Sequence, residues 1–156
     1  MSSFSLFADT ELVVVYPEEY SAALRNPLKG FRPDTGRNIS RSRFVTLARH
    51  YIKWNDLEKK NTDDLVANIR AYSERKWAKF RGTGVKVIPR VYLDWDRESG
   101  NEYWPSDLKS GDYSSPEFKR RVLRLVKAMG ECWDRDPRVA WIQMGIIGFW
   151  GEHHNP

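Results

Sequence analysis

Hydrophobic positions recur along this chain with two different periods, and the switches between them mark the elements. Phe44 to Trp54 reads as a strand, with side chains alternating between two faces. Thr62 to Phe80 carries apolar residues at 65, 69, 72, 77 and 80, the spacing of a helix with one buried face, and Gly82 and Gly84 end it. Val85 to Trp95 is strand-like again, and a loop rich in Gly, Ser, Asp and Asn runs from Asp96 to Tyr113. Ser114-Ser-Pro-Glu117 predicts a helix start, with a capping box and an early proline. That helix extends to about Trp133 with Phe118, Val122, Leu125, Val126, Met129 and Trp133 on one face. Asp134 to Pro137 breaks it, and a last apolar strand begins at Arg138 or Val139.

Strands alternating with helices of this length predict βαβ units and a parallel sheet. The expected fold is therefore α/β, a partial (β/α)8 TIM-barrel-like domain of about four parallel strands and two long helices. Residues 1–43 supply a hairpin-like opening, in which Glu11-Leu-Val-Val-Val-Tyr16 is β-branched and Asn26-Pro-Leu-Lys-Gly-Phe31 is a turn with Phe31 as anchor. Residues 32–43 are polar and loop-like, and residues 44–156 hold the βαβαβ units. A chain of 156 residues is one domain's worth but short of the roughly 250 of a complete barrel. The pattern thus predicts the N-terminal half of a barrel, continued C-terminally in a longer protein. Ending on an apolar strand would leave an unpaired edge, so either that continuation or self-association is expected to cover it.

An internal echo supports the repeat. Arg49-His-Tyr-Ile-Lys-Trp54 and Arg90-Val-Tyr-Leu-Asp-Trp95 share R-x-Y-[IL]-x-W, 41 residues apart (49 to 90). Alternation puts Arg49, Tyr51 and Lys53 on one face and Arg90, Tyr92 and Asp94 on the equivalent face. Ile52 and Trp54, and Val91, Leu93 and Trp95, fall on the faces suited to packing under helices. A strand buried on both sides should be almost wholly apolar, so the two arginines must meet partners or a ligand. Asp94 and Glu152 are the carboxylates at hand, and a purely internal Arg–acid network is one reading of that face.

Composition narrows the function classes. An apolar share of 40% with 30% charged residues describes a folded globular domain. The net charge of +5 is modest, and its cations are interleaved with acids, as in Glu58-Lys59-Lys60 and Glu74-Arg75-Lys76, so no nucleic-acid partner is expected. No stretch has the length of a membrane span, and the N-terminus lacks a basic segment and a long apolar core, so neither a membrane nor a secretory signal is expected. The single Cys132 has no partner for a disulfide and leaves the compartment undetermined. Seven Trp, seven Tyr and seven Phe are the outlier. Rings near a polar cleft suit sugars, which stack on them, although Trp77, Trp133 and Trp141 read as core.

The candidate chemistry sits at the end of the chain, in Trp141-Ile-Gln-Met-Gly-Ile-Ile-Gly-Phe-Trp-Gly-Glu-His-His154. Continued alternation would put Ile142, Met144, Ile146, Gly148, Trp150 and Glu152 on one face, with His153 on the other. A carboxylate just past an apolar strand is where parallel barrels keep their chemistry. Gly145, Gly148 and Gly151 would permit close approach of backbone or ligand. Glu152 beside an inward arginine and a tyrosine reads as a general acid–base, with burial raising its pKa and the arginine lowering it. Glu152 and His154 could share a metal only if His50 or Asp94 joined them, and neither a metal nor a cofactor is expected. No nucleophile elbow or phosphate loop is present.

Asn26-Pro-Leu-Lys-Gly-Phe31, Tyr51-Ile-Lys-Trp-Asn-Asp-Leu-Glu58 and Gly148-Phe-Trp-Gly-Glu-His153 together resemble barrel-type glycoside hydrolases. More closely, they resemble the N-terminal domain of unknown function 4874, usually followed by domain 4832. The resemblance runs from about residue 12 to the end. In retaining barrel glycosidases the acid/base glutamate follows the fourth strand, usually after Asn. It implies that role for Glu152, here preceded by Gly151. The second carboxyl, about 5–5.5 Å away in retaining enzymes, would come from a later strand, with Asp94 the only local candidate. The implied function is a glycoside-hydrolase-like, carbohydrate-active domain, incomplete without its C-terminal half. Glu152 would be the proton donor and acceptor. Arg49, Arg90, Tyr92, Asp94 and His154 would form the polar wall, and Trp150 the stacking platform for a carbohydrate ligand. The alternatives are a non-catalytic carbohydrate-binding module and a structural half-barrel.

Overall fold

Three parallel strands form the sheet of the computed structural model, which describes residues 13–19, 28–36, 45–96 and 98–154. In chain order the elements are β1 (Leu47–Lys53), a one-turn helix α1 (Trp54–Leu57), α2 (Leu65–Trp77), a 3-10 turn (Ala78–Phe80), β2 (Lys86–Asp94), α3 (Pro116–Trp133) and β3 (Ile146–Phe149). The strands lie side by side in chain order, β1-β2-β3, and α2 packs on α3. A doubly wound sheet reverses its strand order part-way. Sequential order with neighbouring helices on one side is the winding of a (β/α) barrel. The fold is α/β and partial TIM-barrel-like.

Alternation decides what each face buries. Ala48 and Ile52 of β1 and Val87, Val91 and Leu93 of β2 meet Leu65, Ile69 and Trp77 of α2 and Leu125, Met129 and Trp133 of α3. Each such fully buried aliphatic contributes about 1.5–3 kcal/mol. The opposite face carries Arg49, Tyr51, Arg90 and Tyr92. Asp64 caps α2, its carboxylate accepting from the Ala67 amide at 3.0 Å.

The W-x-x-L-E segment has a structural purpose. Trp54 and Glu58 lie one turn apart, and the indole Nε1 donates to Glu58 Oε2 at 2.7 Å. The other carboxylate oxygen pairs with Arg121 at 2.9 Å and Arg124 at 2.7 Å, both on α3. Glu58 and Arg121 are 0% and 1% exposed, so deleting either charge would leave the other buried with fewer partners, at a cost of up to about 3–5 kcal/mol. Arg121 was not foreseeable as core from apolar spacing.

Several expectations need correction. The sheet has three strands, not about four, among the described residues. On the outer side of β1 the chain makes only isolated parallel bridges, Phe31 with Val45 and Asp34 with Arg49. Glu11 and Leu12 lie outside the described residues, and Val13–Tyr16 are exposed and not in a strand. Phe31 is exposed and anchors nothing. The capping box does not form: Ser115, not Ser114, caps α3 by accepting from the Phe118 amide, and Glu117 binds Arg120 instead. Val126 and Trp141 are exposed, unlike Trp77 and Trp133, which are core.

The final strand departs most from the pattern. From Val139 to Gly145 the chain follows β2 with scattered bonds, such as Ala140 N to Val87 O at 2.9 Å and Gln143 N to Pro89 O at 2.9 Å. Only Ile146–Phe149 pairs with β2 as a strand. A Cβ on Gly145 would fall 2.3 Å from Val91 O, so glycine is required where this segment presses on β2.

Beside it runs an apolar groove of about 750 Å³ between α3 and β3, whose outer edge pairs with no strand among the described residues. Leu123 and Met144 on its walls are 71% and 77% exposed. If that edge stays unpaired in the protein, such a patch beside it predicts pairing with a second copy. Sedimentation velocity of the chain should show concentration-dependent self-association that Leu123→Glu with Met144→Lys reduces; a monodisperse monomer at every concentration would refute this.

His50 of β1 points under the helices, where Trp77 Nε1 donates to its Nδ1 at 2.6 Å and Tyr72 OH lies 3.3 Å from Nε2. Burial first, and then Lys76 and Lys79, lower its pKa to about 4 from 6.5. Below pH 6.5 the unfolded chain binds a proton that the folded one refuses. Stability should therefore fall by on the order of 3 kcal/mol between pH 6.5 and pH 4. Denaturant melts across that window check it, and His50→Gln should flatten the slope above pH 4.5.

Candidate functional site

Alternation on β1 and β2 brings Tyr51 and Arg90 side by side, because the strand register pairs those two residues directly. The echoed motifs are thus staggered by two positions: Arg49 pairs with Ile88, and Lys53 with Tyr92. Arg49 and Arg90 both lie over the Tyr51 ring, their guanidinium carbons 4.7 and 5.3 Å from its centre. Cationic groups over a phenol face are attracted by its quadrupole.

Glu152 completes the cluster from beyond β3. Arg90 Nη1 donates to Glu152 Oε1 at 2.7 Å and to Tyr51 Oη at 3.2 Å, while Tyr51 Oη donates to the same carboxylate oxygen at 3.1 Å. Arg90 also lies 3.5 Å from the Trp150 carbonyl. Its side chain is only 10% exposed and that of Glu152 is 42% exposed, so a buried cation is answered by an anion at the mouth. Arg49 Nε binds Asp34 at 2.7 Å, and its Nη1 lies 3.5 Å from Tyr51 Oη. Both inward arginines are therefore partnered, as burial of charge demands.

Strand alternation does not deliver Glu152 to this position. Ile146, Gly148, Trp150, Gly151 and His153 all adopt positive φ, so the chain turns on itself after β3. Gly151 N bonds Gly148 O at 3.0 Å, Glu152 N bonds Phe149 O at 3.0 Å, and Phe149 N bonds His154 O at 3.2 Å. A Cβ on Gly148 would lie 2.3 Å from His154 O. The glycines thus serve backbone approach, not ligand approach. Folded this way, the turn puts His154 Nε2 4.0 Å from Glu152 Oε2 and sends His153 to the apolar groove on the other side.

The aromatic rim is only partly the expected one. Trp150 contacts His154 and Trp95 with ring centres 5.5 and 6.4 Å apart. Trp95, expected under the helices, instead packs on Tyr51 at 5.9 Å and Tyr92 at 5.4 Å. Asp94, expected in the polar wall, is not brought to Glu152. Trp104 Nε1 donates to it at 2.8 Å and Tyr113 Oη donates to its other oxygen, and both rings pack on Phe118 of α3. Opposite Tyr92–Asp94 the pairing shifts by one extra residue on β3, a bulge that bends β3. Tyr92 is buried among Tyr51, Trp95 and Tyr103, and burial pushes its phenol far above the usual value. Lys53 rests on the Tyr103 ring at 4.1 Å.

Tyr51, Asp34 and Trp95 belong to the site but did not stand out as site residues. The R-x-Y echo carried a signal for Tyr51, and none exists in sequence for Asp34, which arrives from a loop. His50 and Asp94 are committed elsewhere, so neither joins Glu152 and His154. Among the described residues no three His, Cys, Asp or Glu side chains are placed to hold a metal.

No family model and no curated protein matches the chain. Among solved structures it is similar to the exo-beta-1,4-mannosidase Op5Man5 from Opitutaceae bacterium strain TAV5. The identity is 16% and the TM-score 0.46, over 62% of this chain and 17% of that one. The chain thus spans about a sixth of that enzyme's length, and so remote a likeness assigns no activity. The resemblance to domain 4874 has no matching family model behind it.

The electrostatics give Glu152 one protonation state. The hydrogen bond from Arg90 holds its carboxyl below the ordinary range against a smaller effect of burial, and Tyr51 adds to the hold. At neutral pH it is a carboxylate that can accept a proton or a hydrogen bond and has none to give. In an NMR pH titration, Arg90→Met should raise the Glu152 pKa toward the ordinary value, and Tyr51→Phe should raise it by less. Equal values in the native protein and both variants would overturn this account of the cluster.

Proposed function

We propose that this chain is the N-terminal half of a glycoside-hydrolase-like barrel and a member of the domain family of unknown function 4874, with a carbohydrate as its ligand. The observation carrying this reading is the Tyr51–Arg90–Glu152 cluster on the face of the sheet that the helices leave uncovered, beside the rings of Trp95, Trp150 and Tyr92. Hydroxyl-rich ligands need charged partners beside flat rings, and both are in reach here. Glu152 is the candidate catalytic carboxylate. Trp150 is the stacking platform, and Arg49, Arg90 and His154 orient the sugar. The second carboxylate of a hydrolase would have to come from a C-terminal continuation, since Asp94 is consumed by Trp104 and Tyr113.

One observation favours a second reading, a carbohydrate-binding module without catalysis. A general acid must hold a proton at working pH, and Arg90 keeps Glu152 ionised. Turnover would require a ligand or a later segment to take Arg90 away.

Tryptophan fluorescence during titration with a panel of oligosaccharides tests both readings. Binding should be saturable and at least tenfold weaker in Trp150→Ala. Glu152→Gln, placed in any longer protein containing this domain, should bind sugar and lose turnover if the hydrolase reading holds, and leave turnover unchanged if it does not. Absence of any saturable response would sink both.

A further inference from the structure

A second cavity, of about 780 Å³, lies at the other end of the sheet, where β2 begins and α3 gives way to the segment leading to β3. Along β2 it lies four residues before Arg90 of the Glu152 cluster, roughly 13 Å at about 3.3 Å per residue. Its floor is apolar, formed by Phe80 and Val85, both buried. Its rim is basic. Arg70, Arg81, Lys86, Arg135 and Arg138 face two acids, Glu74 and Asp136, which leaves three positive charges in excess (five less two).

These cations differ in how far they are spent. Arg138 is nearly buried and fixed: Nε binds Asp136 Oδ1 at 2.9 Å, and Nη2 binds Asp136 Oδ2 at 2.6 Å and Glu74 Oε1 at 2.8 Å. Its third nitrogen, Nη1, is buried with no acceptor. Arg81 shares Glu74 with it, and Arg70 reaches out to Glu131 at 3.3 Å through exposed side chains. Arg135 is exposed and no carboxylate engages it among the described residues. The turn above adds backbone donors. Gly82 and Gly84 take positive φ, and their amides bond no backbone carbonyl, while Thr83 N bonds Phe80 O at 3.2 Å. Surplus guanidinium groups and free amides around an apolar floor suit a compact oxyanion, which arginine binds in a forked geometry.

We infer that this cavity is a binding site for a multiply charged phosphate or sulfate ester, separate from the carbohydrate cleft. Arg70, Arg81 and Arg135 are the mobile ligands, and Arg138, clamped by Asp136 and Glu74, is the fixed one. The apolar floor accepts the non-ionic part of the ester. Exposed cations with weak partners can swing to a ligand at little cost, because a surface ion pair is worth about 0–1 kcal/mol.

Inorganic pyrophosphate is the probe. Calorimetric titration at low salt should give one saturable site with a submillimolar Kd, weakened at least tenfold in the double variant Arg70→Gln with Arg135→Gln. Arg49→Gln, on the face of the sheet that the helices do not cover, should leave it unchanged. Cys132, half-buried in the cavity wall, supplies a readout on the native chain: saturating pyrophosphate should slow its alkylation severalfold. No saturation by millimolar pyrophosphate, the same Kd in the double variant, or equal loss with Arg49→Gln would each overturn the inference. Sugar binding and pyrophosphate binding are measured independently, so loss of one leaves the other standing.

Discussion

The charge of Arg90 is the constraint around which the C-terminal end of this sheet is arranged. A guanidinium on the middle strand, almost wholly out of water, cannot stay unpaired. Its answer is drawn from both neighbours: the Tyr51 hydroxyl from β1 and the Glu152 carboxylate from beyond β3. One nitrogen thereby joins all three strands on the face that the helices do not cover. The turn from Gly148 to His154, with its run of positive φ, is the backbone conformation that brings Glu152 back within reach. The aromatic rings stand around this ionic centre and limit its contact with water.

On the other face, a second ionic centre works with the hydrocarbon core. Glu58 and its partners Trp54, Arg121 and Arg124 fasten the end of β1 to α3, across the helix layer. Apolar packing between α2, α3 and the sheet supplies most of the burial, but it is non-directional. A buried carboxylate held by two hydrogen-bond donors and a further guanidinium charge has one arrangement that satisfies it. The two centres differ in what they leave available: Glu58 is fully enclosed, whereas Glu152 remains half open at the mouth of the cleft. The same residue type is a fastening in one place and available for chemistry in the other.

The open mouth also defines the chemical character of the candidate site. Arg90 and Tyr51 make Glu152 a stable anion, so the cluster at rest is suited to accepting hydrogen bonds from hydroxyl groups. Asp94, the nearest second carboxylate in sequence terms, is turned to Trp104 and Tyr113. The pair needed for glycoside hydrolysis is therefore not assembled from the described residues, and carbohydrate recognition asks less of the geometry than hydrolysis does.

Much of this was legible in the amino-acid order, because periodicity reports which face of an element meets the core. Period-2 alternation placed Arg49 with Tyr51 and Arg90 with Tyr92. The helical spacing at 65, 69, 72 and 77 named the buried side of α2, and the β-α alternation specified a parallel sheet. What sequence could not determine was register, turn geometry and the destination of strand-end side chains. Hydrogen bonding staggers the two R-x-Y motifs by two positions, so that Tyr51 lies opposite Arg90. Alternation fails where β2 ends, and Asp94 and Trp95 take the opposite of their expected places. It fails again where glycines let the chain turn after β3. Arg121 and Glu58 escaped because a buried ion pair looks polar in sequence until its partner is found 63 residues away (58 to 121). Local periodicity is a property of neighbouring residues. Partner choice between distant charges is settled only when the sheet and helices close on one another.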